Sequence, residues 1–305
     1  MNLMIIGYKL FLNSSTFIVI FALWINSLVM TVKDENTSAI FNSALDYVRQ
    51  ENYPQALVYF TKVIERNDSL AGAAYSNRCL ANLQLQHYVA AETDCTVAVR
   101  YNSNNVEGYL NLGLALHLEG KHRQAITQYQ QVIQLDRHDY RAYYNRGLAH
   151  FALADHPQAI VDYNLALMSP RPITAAQKAL IYNNRSLVYM VLKNYQRAIA
   201  DLDRAIALES HNYNAYFDRG CVHYRQGNYS AAIEDFDRVV RLEPNFTQAY
   251  VSRAVSHHQM GHSRAASIDI DTALQQYQKQ GNHVSYDRTV ALKRKLFYSQ
   301  PSQIG

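Results

Sequence analysis

One landmark returns about every 34 residues along this chain: an aromatic side chain, then two residues, then an arginine or a neighbour of similar placement beside a small residue. Aligned on it, the copies start at Thr37, Gly72, Val106, Tyr140, Ala179, Tyr213 and Thr247, spaced by 35, 34, 34, 39, 34 and 34 residues. A period of this length constrains the fold more than composition does. Each copy is one supersecondary unit that buries its apolar face only against its neighbours.

Within the period the landmarks keep fixed offsets. The fourth position is Tyr75, Tyr109, Tyr143, Tyr182, Tyr216 and Tyr250, with Ile40 in the first copy. The eighth is always small: Ala44, Cys79, Gly113, Gly147, Ser186, Gly220 and Ala254. The twentieth is alanine in every copy, from Ala56, Ala91, Ala125 and Ala159 to Ala198, Ala232 and Ala266. Positions 4, 7, 8 and 11 fall on one face at about 100° per residue, the spacing of an amphipathic helix. Short turns such as Gly227-Asn228 or Lys121-His122 then join two helices per copy. Six prolines in 305 residues leave room for long helices, and 24 tyrosines against one tryptophan point to one structural role filled many times.

Seven copies of these landmarks in register resemble the tetratricopeptide-repeat family, over residues 37 to about 280. The resemblance implies an all-α fold, a right-handed superhelical solenoid of seven helix hairpins closed by a C-terminal capping helix, and protein binding in place of chemistry. The 39-residue spacing marks an insertion around Ser169-Pro170-Arg171-Pro172, where the prolines stop one helix and Thr174 caps the next. It lengthens a connection, or bends the array, or touches a partner. Residues 281–305 are expected to hold the cap, a helix from Ser285 to Ser299 that packs through Val290 and Phe297 and stays soluble through Arg288, Lys293, Arg294 and Lys295.

Residues 1–32 differ from the rest. From Leu3 to Val32 the one charged side chain is Lys9, and from Leu10 onward the low-charge stretch is long enough to span a bilayer. It is expected to be a single-pass anchor or, given Met30 just before polar TVKDENTS, a mis-assigned start; it is a poor cleavable signal. The first alternative makes the protein membrane-anchored, the second cytoplasmic. Cys79, Cys95 and Cys221 cannot all pair within one chain and form no C-x-x-C, so reduced thiols filling small core sites are expected.

Position 7 is Arg78, Arg146, Arg185, Arg219 and Arg253 in five copies, and position 23 of the same copies is Asp94, Asp162, Asp201, Asp235 and Asp269. The copies without the arginine (Ser43, Leu112) also lack the aspartate (Tyr59, Gln128). Pairing each aspartate with the next copy's arginine fails, since Tyr59 would face Arg78. The co-occurrence points to a structural ion pair within each repeat.

Positions 2, 5, 6, 9, 12 and 13 lie opposite the packing face and, by the resemblance, line the concave surface. Position 6 is Asn42, Asn77, Asn111, Asn145 and Asn184, then Asp218 and Ser252. A side-chain amide both donates and accepts, so such a ladder suits an extended peptide backbone, or its asparagines bond to neighbouring helices instead. Tyr144, Phe151, Met190, Phe217 and Tyr224 beside it favour an apolar or aromatic segment, or one face of an amphipathic helix. The family's carboxylate clamp, which grips chaperone tails, is missing: there is no lysine at position 5, no asparagine at 9 and no arginine at 6.

A formal charge of +4 without any long Lys/Arg run makes nucleic acid a poor partner. His150, His223 and His257 occupy packing position 11 and are expected to be core histidines. No H-E-x-x-H, phosphate loop or G-x-S-x-G occurs, so no metal, cofactor or catalytic residue is expected. The expected function is a non-enzymatic scaffold or adaptor. The alternatives are a membrane-tethered assembly or chaperone-like factor, and a substrate-capturing subunit of an enzyme.

Overall fold

The computed structural model describes residues 35–298, and the N-terminal apolar segment lies outside them. Among the described residues there are helices and turns and no strand. No described helix is long and apolar enough to cross a membrane.

The chain divides into two compact units, with the boundary between Ala115 and Leu116. The first contains α1 (Glu35–Arg49), α2 (Tyr53–Glu65), α3 (Ala71–Gln84), α4 (Tyr88–Tyr101) and most of α5 (Val106–Leu118). There α1 packs on α2, α2 on α3 and α3 on α4. The second begins in the last turn of α5 and continues through α6 (His122–Leu135), α7 (Tyr140–Ala152), α8 (His156–Leu167), α9 (Ala175–Val191) and α10 (Tyr195–Leu208). It ends with α11 (Tyr213–Arg225), α12 (Tyr229–Leu242), α13 (Thr247–Gln259), α14 (Ser263–Lys279) and α15 (His283–Phe297). From α6 onward each helix packs on the next, and α7, α9, α11 and α13 also touch in succession. The first helices of successive repeats thus share one face of this unit.

Side-chain size explains the hairpins. All seven position-20 alanines are fully buried, so a larger side chain there would force the helices apart. A Cβ on Gly220 would come 2.7 Å from the Phe236 ring, and one on Gly147 would come 2.9 Å from Tyr163. In these two repeats the eighth position is the hollow into which the second helix drops an aromatic ring. Between the helices, position 15 is left-handed in every repeat: Gly120, Gly227 and Gly261 at φ 77–82°, and Glu51, Gln86, Ala154 and Lys193 at φ 57–61°. That residue ends the first helix, and the next amide reaches back, as Asn228 N–H does to His223 O at 2.9 Å.

The insertion extends α9 as well as the connection. Thr174 and Gln177 form a reciprocal capping box, starting α9 at Ala175, four residues before the repeat alignment places it. The preceding loop folds back on the α6–α7 turn: Ser169 Oγ donates to His138 O at 2.9 Å, and Arg171 pairs with Asp136 at 2.5 Å. At the C-terminus α15 runs His283–Phe297 in place of Ser285–Ser299, with Thr289 its buried residue. Phe297 meets His258 edge-on at 5.8 Å. Lys293 is not simply a solvated cation: its Nζ lies 2.5 Å from Asp271.

Candidate functional site

The charged residues inside the repeats form ties. In five repeats the position-7 arginine grips the position-23 aspartate with two parallel bonds. Nε donates at 2.7–3.0 Å and Nη2 at 2.5–2.7 Å, joining Arg78 to Asp94, Arg146 to Asp162, Arg185 to Asp201, Arg219 to Asp235 and Arg253 to Asp269. The position-4 tyrosine, one turn earlier, lies 5.4–5.6 Å from each guanidinium, which adds a cation–π contact. A third bond escapes the sequence reading. Nη1 reaches back to position 25 of the preceding repeat: Arg78 to Thr61 at 2.9 Å, Arg219 to Asp203 and Arg253 to Asp237 at 2.6 Å each, and Arg185 to Asn164. One arginine therefore ties three helices. At Asp271, position 25 of the last repeat, Lys293 of α15 supplies the cation. The hydrogen bond to Asp235 is the main cause that holds the Arg219 guanidinium above its ordinary range.

The expectation of three reduced cysteines is corrected. Cys79 of α3 and Cys95 of α4 form a disulfide, and Cys221 is the free thiol. Burial, followed by the nearby Asp218 carboxylate, pushes the Cys221 thiol up.

The position-6 asparagines do not form one uniform ladder. In the first unit Asn42 is exposed, Asn77 donates to its own helix at Ala73 O (2.9 Å), and Asn111 is buried at 7% exposure. In the second unit Asn145 is half-buried, and Asn184 donates twice, to Tyr144 Oη and to Leu180 O, each at 3.0 Å. Tyr144 and Asn184 thus come together across adjacent repeats. The same step recurs one repeat later, where Asn183 donates to Asp218 at 2.9 Å. Both carboxamide hydrogens of Asn184 are engaged, which leaves its oxygen to accept. The neighbouring Asn183 Oδ1 is buried with no partner.

The aromatic candidates are partly committed to the protein itself. Tyr144 is buried against Tyr163, with ring centroids 6.1 Å apart, and burial pushes its phenol up. Phe217 packs between Phe236 and Phe246 at 5.6 and 5.0 Å. Phe151 lies 5.7 Å from His156 and Tyr224 5.4 Å from Tyr229, closing their hairpin turns. Met190 packs on the cluster around Leu202. Phe151, Met190, Phe217 and Tyr224 each keep a partly exposed edge.

The histidines serve packing. His150 and His223 stand 3.8 and 3.9 Å from Asp162 and Asp235, over the arginine forks, and burial lowers the His257 pKa. His117 and His122 face each other through their Nδ1 atoms at 3.2 Å. Burial, with His122 adding to it, lowers His117 to about 4. Among the described residues no three His, Cys, Asp or Glu side chains converge as metal ligands do.

Family profiles described as tetratricopeptide repeat match residues 41–105, 140–170 and 186–251, and one described as TPR repeat matches 115–153. Human serine/threonine-protein phosphatase 5 is 32% identical over 96 residues, 32% of this chain and 19% of that protein. Stress-induced-phosphoprotein 1 of Caenorhabditis elegans is 24% identical over 95 residues, 31% of this chain and 29% of that protein. The chain spans less than a third of the length of these curated relatives. Among solved structures, a tetratricopeptide repeat protein from Parabacteroides merdae superimposes with a TM-score of 0.66 at 16% identity, covering 83% of this chain and 98% of that one. The Pseudomonas aeruginosa pilF structure does so with 0.60 at 15% identity, covering 72% and 96%. Identities this low speak to the fold alone. With matching profiles in tandem over hairpins that repeat the same landmarks, the chain belongs to the tetratricopeptide-repeat family.

Proposed function

We propose that this protein is a non-enzymatic scaffold that holds a segment of another protein along the face shared by the first helices of its repeats. One observation carries the reading. On that face Asn184 has both amide hydrogens engaged inside the protein, which leaves its oxygen to accept, and half-buried Asn145 stands at the same position one repeat earlier. Backbone N–H groups of an extended segment are the donors that suit them, whatever its sequence. The partly exposed edges of Phe151, Met190, Phe217 and Tyr224 add a preference for apolar or aromatic side chains. Asn42 and Asn77 carry the same chemistry into the first unit, whereas Asn111 is buried.

The reading treats the ten fork residues as structural and assigns no catalytic role to any side chain. In the test, Asn145 and Asn184 are replaced together by alanine in the full chain, and capture of partners from the native extract is compared with wild type. Capture is expected to fall about tenfold or more, the loss of one to two charge-neutral hydrogen bonds plus their neighbours, with helicity unchanged. Equal capture by both proteins would show that the binding surface lies elsewhere.

A further inference from the structure

Most repeats close their helix pair with a small residue at position 8 and a bulky one at position 24. Ala44 and Phe60 share one core cluster, and the Tyr163 and Phe236 rings fill the hollows at Gly147 and Gly220. The second repeat breaks the rule. It carries Cys79 and Cys95 at these positions, both fully buried and joined to each other. Two cysteines fill less space than a glycine and a tyrosine, so α3 and α4 are held there by a bond in place of a ring.

We infer that Cys79–Cys95 is a permanent structural crosslink, closed in an oxidising compartment. The inference goes beyond the scaffold reading, which holds in any compartment. Neither sulfur is exposed, so an attacking thiolate reaches the bridge only after the α3–α4 hairpin opens. A switch operated on the folded protein needs an accessible sulfur; a staple does not. Buried structural disulfides persist in oxidising compartments and are rare where glutathione and thioredoxin keep thiols reduced. Closure is thiol–disulfide exchange: Cys79 and Cys95 together give up two protons and two electrons, and a disulfide oxidant leaves as two thiols. The bridge spans 16 residues of sequence and restricts the unfolded hairpin.

The test uses full-length protein produced from its natural locus, with cells quenched in acid and thiols blocked by N-ethylmaleimide without reductant. The tryptic peptide 79–100 holds both cysteines, because cleavage follows Arg78 and Arg100. The expected peptide is unlabelled and two hydrogens lighter than its reduced form, while Cys221 takes the label once the protein is denatured. Two maleimide labels on peptide 79–100 would overturn the inference. In a second arm, native protein is incubated with dithiothreitol. The bridge is expected to survive until denaturant is added; rapid reduction of the folded protein would instead identify a switch and overturn the staple. A Cys79→Gly/Cys95→Tyr variant, which restores the ring-in-hollow pair, gives the control. Reduction is expected to lower the wild-type midpoint by roughly 5 °C or more and leave the variant's unmoved. A wild-type midpoint unmoved by reduction contradicts the inference. Equal partner capture by wild type and the asparagine variant, which would sink the scaffold reading, would leave every one of these results in place.

Discussion

Arg219 divides its donors between two helices: Nε and Nη2 to Asp235 of its own repeat, Nη1 to Asp203 of the preceding one. Asp235 is nearly enclosed while Asp203 is about half exposed, so the two contacts are unequal. A double-mutant cycle on Arg219 and Asp235, read from urea midpoints, is expected to give a coupling of about 1–3 kcal/mol, and the cycle with Asp203 less than about 1 kcal/mol. The Arg–Asp pair was legible because the two identities rise and fall together across the repeats. The third contact was not. Position 25 is Thr61, Asn164, Asp203 or Asp237, chemically different residues that share only an oxygen able to accept, and identity patterns do not register a shared acceptor. The disulfide was hidden for a related reason. Cys79 reads as one more small residue at position 8, and its meaning appears only when position 24 of the same repeat is compared with the bulky side chains found there elsewhere, from Phe60 to Ile270.

At the scale of helices and turns, two sites carry a measurable load. Thr174 caps α9 and Gln177 returns the bond, so Thr174→Ala is expected to cost about 1 kcal/mol and to speed amide exchange in the first turn of α9. The turn joining α5 to α6 is pH-sensitive. Burial, helped by His122, lowers His117 from 6.5 to about 4, so the folded chain resists a proton that the unfolded chain accepts. Its contribution is full above pH 6.5 and is lost as pH falls from 6.5 toward 4, by about 3 kcal/mol at the lower end. Urea midpoints of His117→Phe are expected to fall less steeply over that window than those of wild type. Phe151 facing His156 one repeat later shows the same step occupied by a phenyl ring. Helix existence and hairpin order followed from the period, since every landmark recurs in register. The extra turn of α9 did not, because an insertion has no counterpart to align with, and its start depends on a local capping box.

For the whole chain, the repeated geometry assigns the ten fork charges and many aromatics to holding the repeats, and this narrows what remains for a partner. The asparagine series shows how far sequence reaches: the position was legible, the state of each amide was not. Asn77 and Asn184 bond inward through their donors, Asn111 is buried, and Asn42 is exposed, differences set by neighbouring helices and not by residue type. The most direct measurement is site-specific photo-cross-linking of the full chain in native extract, with a photoreactive phenylalanine placed in turn at Asn145, Phe151 and Tyr224 on the shared face and at Val161 and Ile268 on the exposed faces of α8 and α14. The expected result is cross-linking of the same partner from the first three positions and none from the last two. Cross-links confined to Val161 and Ile268 would contradict the claim that the first-helix face holds the partner.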